Sequence, residues 1–176
     1  IEESEILGRG HLLFFHGTDT FNAAYSAWRD SDNKCSPNGS SIIALAHRNL
    51  LSYDNDETDG ELDCFKKLYE VSKEYGGIAS YVSDCYNFTK AVDKLEGILK
   101  ANPNDTTKIV ARPDSGNAKE NISYILNKDN PRLRFIEGNG VKPKALLDIL
   151  SCLKDSNVAS RGIFGIGGYL RNSCNR

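Results

Sequence analysis

The residues able to do chemistry in this chain stand where its apolar runs stop. HLLFF leads into His16-Gly17-Thr18-Asp19, SIIALA into His47-Arg48, and IASYV into Ser83-Asp84. KIVA leads into Arg112-Pro113-Asp114-Ser115-Gly116, LRFI into Glu137-Gly138-Asn139-Gly140, and RGIF into Gly165-Ile166-Gly167-Gly168. Histidine at such a place handles protons or phosphoryl groups near neutral pH. Arg112 and Asp114 flank a proline that stiffens the turn, which suits a pre-set cation and hydrogen-bond acceptor. The glycine clusters let backbone N–H groups approach a phosphate. Each feature also has a plainer use: an aspartate after a strand caps helices, a role open to Asp84, and glycines make tight turns. A histidine there also serves structure alone. The acidic stretch 54–60 lacks the glycine and glutamate that a calcium loop requires, so it reads as a solvated loop before a helix.

Elements that alternate between strand and helix are needed to hold these groups. Strands are expected at 11–16, 41–46, 77–82, 107–111, 133–136 and 161–164, from short apolar runs bounded by turn residues. Helices are expected at 20–30, 59–75, 87–100, 117–127 and 143–154. In the second, Leu62, Phe65, Leu68, Tyr69 and Val71 fall near one face, with Asp59 as N-cap. In the third, Phe88, Val92, Leu95, Ile98 and Leu99 do. Strict alternation implies an α/β fold with a mainly parallel sheet. Such a run amounts to about two-thirds of an eight-fold barrel of ~250 residues, whose catalytic groups lie at the carboxyl ends of the strands. An open doubly wound sheet would also accommodate six strands.

The 176 residues suffice for one domain, and the stretch 1–176 reads as a single, incomplete catalytic segment. It contains no methionine, begins Ile-Glu-Glu and stops at Arg176 after a glycine-rich turn, so we read it as part of a longer or processed protein. A formal net charge of −2 gives no electrostatic reason to expect nucleic acid or an anionic membrane as partner. No apolar run reaches the ~18 residues of a membrane span. Five cysteines without a Cys-x-x-Cys pair suggest reduced thiols in a cytoplasmic protein. The sequons at Asn38, Asn87, Asn104 and Asn121 are then chance occurrences.

Taken together, Gly17-Thr18-Asp19-Thr20, Ala46-His47, Val82-Ser83-Asp84-x-Tyr86 and Arg112-Pro113-Asp114-Ser115-Gly116-Asn117 resemble the nicotinamide phosphoribosyltransferase family of type II phosphoribosyltransferases. Leu133-Arg134-x-Ile136-x-Gly138-x-Gly140-Val141 and Phe164-Gly165-x-Gly167-Gly168 continue the match in order. Arg-Pro-Asp-Ser-Gly-Asn is its most specific piece.

The resemblance implies a β/α barrel-like domain that joins nicotinamide to phosphoribosyl pyrophosphate, releasing nicotinamide mononucleotide and pyrophosphate with Mg²⁺ on the leaving group. It implies catalytic roles for His47, Asp84 and Asp114, with no protein ligand for the metal assigned. Asp114 would hold the ribose hydroxyls, helped by Asn139, while amides of Gly138, Gly167 and Gly168 would cradle the 5′-phosphate. Arg112 would serve the pyrophosphate and base side, and Arg176 would contact phosphate across a homodimer interface. His47 would accept a phosphoryl group from ATP and so couple hydrolysis to the transfer. Asp19 would favour the carboxamide of nicotinamide over the carboxylate of nicotinate. The chain departs from the family's pattern at Asn139 for aspartate, Ala46 for glutamate, and in Arg48, Ile166 and Tyr169. Nicotinate phosphoribosyltransferase and a non-catalytic, nucleotide-binding relative are the alternative readings.

Overall fold

A computed structural model describes residues 2–12, 18–31, 39–53, 59–153 and 159–165. The chain divides into two compact units, whose described residues come from 2–41 and from 42–165 respectively.

The smaller unit pairs helix α1 (Glu2–Leu12) with α2 (Phe21–Asp30). Close approach is possible because position 8 is glycine: a Cβ there would lie 2.4 Å from that of Ala23. Arg9 bonds Ser26 and pairs with Asp30, and Arg29 pairs with Glu5. The expected strand at 11–16 is corrected in part, since His11 and Leu12 close α1. The helical continuity of α1 overrides the short apolar run there, and residues 13–16 lie outside the described residues.

The larger unit alternates throughout. Its elements are β1 (Ile43–Ala44), α3 (His47–Leu51), α4 (Gly60–Glu74), β2 (Ile78–Val82), α5 (Phe88–Ala101) and β3 (Lys108–Arg112). They continue with α6 (Ala118–Leu126), β4 (Leu133–Glu137), α7 (Pro143–Leu153), a 3₁₀ turn at Ala159–Arg161, and β5 (Gly162–Phe164). All strand pairs are parallel, and the five strands lie in the order β1-β2-β3-β4-β5. Among the described strands the order never reverses, so the sheet has no switch point of the doubly wound kind.

Strand parity explains the core. Ala79 and Tyr81, Ile109 and Ala111, and Leu133 and Phe135 project to one face. There they join Phe65 and Tyr69 of α4, Val92, Leu95 and Leu99 of α5, Ile122 and Ile125 of α6, and Ile149 and Leu153 of α7. Phe65 meets Tyr81 edge to face at 5.7 Å, and Phe135 meets Phe164 at 5.8 Å. A Cβ at Gly162 would stand 2.4 Å from the Phe135 ring, so only glycine lets that ring cover β5. Val71 departs from expectation: it is 40% exposed, and Cys64 and Ser72 are buried on α4 instead. Among the described residues no helix is long and apolar enough to cross a membrane.

Side chains cap α4, α5 and α6 as their types suggest. Asp59 accepts the Leu62 N–H at 3.1 Å, Asn87 that of Lys90 at 3.0 Å, and Asn117 that of Lys119 at 3.0 Å. At the other end, buried Arg161 holds β5 to the α6–β4 connection. Its Nε donates to the Leu133 carbonyl at 2.8 Å and Nη2 to that of Ile125 at 3.2 Å, while Nη1 donates to Leu126 and Lys128. Removing this one side chain takes a donor from each of four carbonyls, of which those of Ile125 and Lys128 keep backbone N–H donors. We expect Arg161→Ala to lower unfolding free energy by about 2–4 kcal/mol. Urea titration checks this; a change below about 0.5 kcal/mol would mean that water replaces the guanidinium at little cost.

Candidate functional site

Every described strand of the larger unit points the same way, so the loops that follow them leave from one edge of the sheet. The register brings Val82 beside Arg112, and Ala111 beside Phe135. Asp84, Asp114 and Glu137 therefore emerge at neighbouring points.

His47 is reached differently from the expectation of a strand over 41–46. The paired strand covers only Ile43 and Ala44; the Leu45 N–H still donates to the Ser80 carbonyl at 2.8 Å. Chain direction then changes into α3, which was not foreseen. The Asn49 side chain accepts the Ala46 N–H at 3.1 Å, and the Asn49 N–H bonds back to the Ala46 carbonyl at 2.9 Å. His47 is thus the first residue of a short helix rather than a loop residue directly after a strand.

Asp84 sits at the centre of the cluster, its side chain 8% exposed. It is not a helix cap, because Asn87 fills that role on α5. Its Oδ1 lies 3.1 Å from His47 Nε2. Its Oδ2 accepts the backbone N–H of Asp114 at 3.1 Å and the hydroxyl of Ser115. One carboxylate therefore ties together the segments after β1, β2 and β3. Asp114 is likewise free of capping duty, which falls to Asn117 on α6. Its carboxylate faces the Arg112 guanidinium at 3.3 Å (Oδ1 to Nε) and 3.4 Å (Oδ2 to Nη2), and Oδ2 lies 4.0 Å from His47 Nδ1. Arg112 Nη2 also lies 3.5 Å from the Leu45 carbonyl oxygen.

The turn that presents Asp114 is fixed locally. Gly116 has φ +85°, in the left-handed region that favours glycine, and the Asn121 amide donates to the Ser115 carbonyl at 2.9 Å. A backbone restrained at both ends leaves the exposed Asp114 carboxylate pre-positioned rather than searching.

Glu137, at the end of β4, is 3% exposed. Its Oε1 accepts the Asn139 N–H at 2.9 Å, and its carbonyl accepts the Gly165 N–H at 2.8 Å. Burial pushes the Glu137 carboxyl up; the N–H groups of Asn139 and Gly138 oppose that shift, and the Asp114 charge adds to it. Gly138 and Asn139 are exposed beside it.

Among the expected site residues, His47, Asp84, Arg112 and Asp114 form one contacting cluster. Gly138 and Asn139 occupy the neighbouring turn after β4. Asp19 is exposed in the smaller unit, just ahead of α2. Gly167, Gly168 and Arg176 lie outside the described residues. Sequence reasoning assigned no role to Ser115 or Glu137. The signal for Glu137 was its parity with Leu133 and Phe135, which places a carboxylate in the buried phase of a strand. Nothing in the sequence distinguished Ser115 from any other turn serine.

Among the described residues no group of three or more His, Cys, Asp or Glu side chains could by itself hold a metal ion. The cluster can instead orient a polyhydroxyl or phosphorylated ligand, with a cation and acceptors side by side. No protein-family model matches the chain, and no curated protein matches it.

Asp84 should be the structural keystone of the edge. In Asp84→Ala the Asp114 amide loses its acceptor, and we expect about 1–3 kcal/mol of lost stability. The Asp114 amide should also exchange hydrogen much faster in Asp84→Ala, but not in His47→Ala. Equal exchange in both variants would show that His47, not Asp84, secures the loop.

Proposed function

We propose that this chain carries the phosphoribosyl-transfer site of a nicotinamide phosphoribosyltransferase, set on part of a β/α barrel. The convergence of His47, Asp84, Arg112 and Asp114 at one sheet edge carries this reading. The sequential order of five parallel strands supports the barrel assignment, since a barrel closes by adding neighbours in chain order.

In this reading the pyridine nitrogen of nicotinamide attacks C1 of the ribose with its free lone pair. The C1–oxygen bond breaks as the new C–N bond forms, and the electron pair leaves with pyrophosphate. No proton moves in that step, so the residues act by position and charge. Asp114, exposed and held by its backbone, accepts hydrogen bonds from the ribose hydroxyls. Arg112, fixed beside it, meets the leaving pyrophosphate or the base. Asp84 positions Asp114 and orients His47. Mg²⁺ commonly binds through one or two carboxylates together with substrate phosphates, so it needs no three-carboxylate cage, and none occurs among the described residues. Asp114, with its exposed carboxylate, suits that donor set, whereas both oxygens of Asp84 are already engaged by protein groups; the ion would neutralise charge on the pyrophosphate. His47 is 43% exposed, open enough to receive a phosphoryl group from ATP. The assignments of Asp19 to the carboxamide, of Gly138, Gly167 and Gly168 to the 5′-phosphate, and of a homodimer rest on the family resemblance.

The test is conversion of nicotinamide, phosphoribosyl pyrophosphate and Mg²⁺ to the mononucleotide by the protein that carries this chain, followed by chromatography. Asp114→Ala should lower kcat/KM at least about a hundred-fold. Absence of turnover together with absence of mononucleotide binding would overturn the reading, whereas binding without turnover would favour the non-catalytic alternative.

Two further outcomes separate the roles. Asp19→Ser should lower the preference for nicotinamide over nicotinate by about ten- to a hundred-fold, matching the loss of a ~1.5–3 kcal/mol charged hydrogen bond. A constant ratio of the two substrates would place Asp19 elsewhere. His47→Ala should keep some transfer but lose stimulation by ATP and the acid-labile label from γ-labelled ATP. Label retained in that variant would show that another group accepts the phosphoryl.

A further inference from the structure

Glu137 occupies an unusual place for a carboxylate. It continues the buried parity of β4 after Leu133 and Phe135. Its side chain turns to the chain just ahead, where Oε1 takes the Asn139 N–H at 2.9 Å. Its backbone carbonyl takes the Gly165 N–H at 2.8 Å, and a Cβ at Gly165 would stand 3.5 Å from the Gly138 Cα. A single residue therefore joins the turn after β4 to the residue after β5, the two places where the sequence sets its glycine clusters.

Amide N–H groups in a glycine turn bind phosphate because they present uncompensated positive dipole to an anion. Here such a donor is already given to an anion, and the anion belongs to the protein. The Gly138–Asn139 turn is exposed, and nothing lies within 4 Å of a Cβ built at Gly138. A phosphate arriving at this turn would meet a carboxylate in its place, with the Asp114 charge also nearby. Two anions cannot share one N–H without strong repulsion.

We propose that Glu137 is a positioning residue that fills the Asn139 N–H with its own carboxylate, so that a 5′-phosphate binds this turn only by displacing it. The proposal rests on the phosphoribosyl reading of the site and deepens it. It makes the site pre-shaped, with the carboxylate keeping the turn in the form that the phosphate will use. The same contact lowers affinity for phosphate, because binding must expel a like charge.

The test is titration of the protein with inorganic phosphate, comparing wild type with Glu137→Gln. Glutamine keeps a side-chain oxygen for the Asn139 N–H but carries no charge. The expected result is roughly ten-fold tighter phosphate binding by the variant, from relief of repulsion between anions. A residue that only shaped the turn would give equal or weaker binding on substitution, and that result would overturn the proposal. A second measurement needs no variant: in the wild-type protein the Asn139 amide resonance should shift as phosphate is added. An unmoved Asn139 resonance at saturating phosphate would also overturn it. Neither measurement reads transferase activity. Tighter phosphate binding by Glu137→Gln in a protein that fails to use nicotinamide would support this inference and remove the functional reading.

Discussion

A parallel strand cannot hydrogen-bond to its successor by turning back; the chain must cross over the sheet before it runs forward again. That constraint organises the larger unit. Each crossover here contains a helix, and residues from α4, α5, α6 and α7 share one core with the alternate strand residues of the sheet. The amino ends of the strands are bound into structure, as Arg161 shows by bonding the Leu133 carbonyl from the turn before β5. The carboxyl ends are left to release loops that no crossover needs to cover. The parallel register brings groups far apart in sequence to neighbouring points on that edge, where Asp84 then ties them together.

Within that edge the chemistry is divided by exposure. Asp84, with a side chain 8% exposed, has both oxygens engaged by protein groups; Asp114 and His47, at 42% and 43%, keep faces open to a ligand. A buried carboxylate that accepts several hydrogen bonds is hard to move, because any displacement leaves donors unsatisfied. Rigidity at Asp84 passes to Asp114 through its own backbone N–H, and to His47 through the ring nitrogen. The exposed pair thereby gains orientation without losing access, which is the arrangement that positional catalysis requires.

How far this was legible in the sequence varies by residue for physical reasons. The helices after β2, β3 and β4 and the strands themselves fall within a residue or two of their expected bounds. Their cores repeat at periods that survive in any tertiary setting, as Val92, Leu95 and Leu99 do on α5. Short apolar runs carry no such period. His11 and Leu12 joined the preceding helix, and the run 41–46 gave a strand of two residues before Asn49 closed the start of α3. Asp84, Asp114, Arg112 and His47 were visible because charged groups interrupt apolar runs. That Asp84 positions the others was not, since nothing in sequence says which oxygen meets which N–H. Glu137 stood out by the same rule, but that rule alone did not show that its side chain is buried.

The electrostatics of the cluster bear on what form of ligand it can accept. Asp84, Asp114 and Glu137 lie along one edge, and among the described residues of the contacting cluster the permanent cation is Arg112, which faces Asp114. Arg112 is already paired with Asp114, so little positive potential remains for a bare polyphosphate. An anionic ligand with several charges would be repelled from this edge unless its own charge were offset before or during binding. The protein's groups are better matched to hydroxyls, which donate to carboxylates, than to free phosphate oxygens, which compete with them. A ligand that presents hydroxyls to Asp114 and carries any phosphates in neutralised form would satisfy both demands.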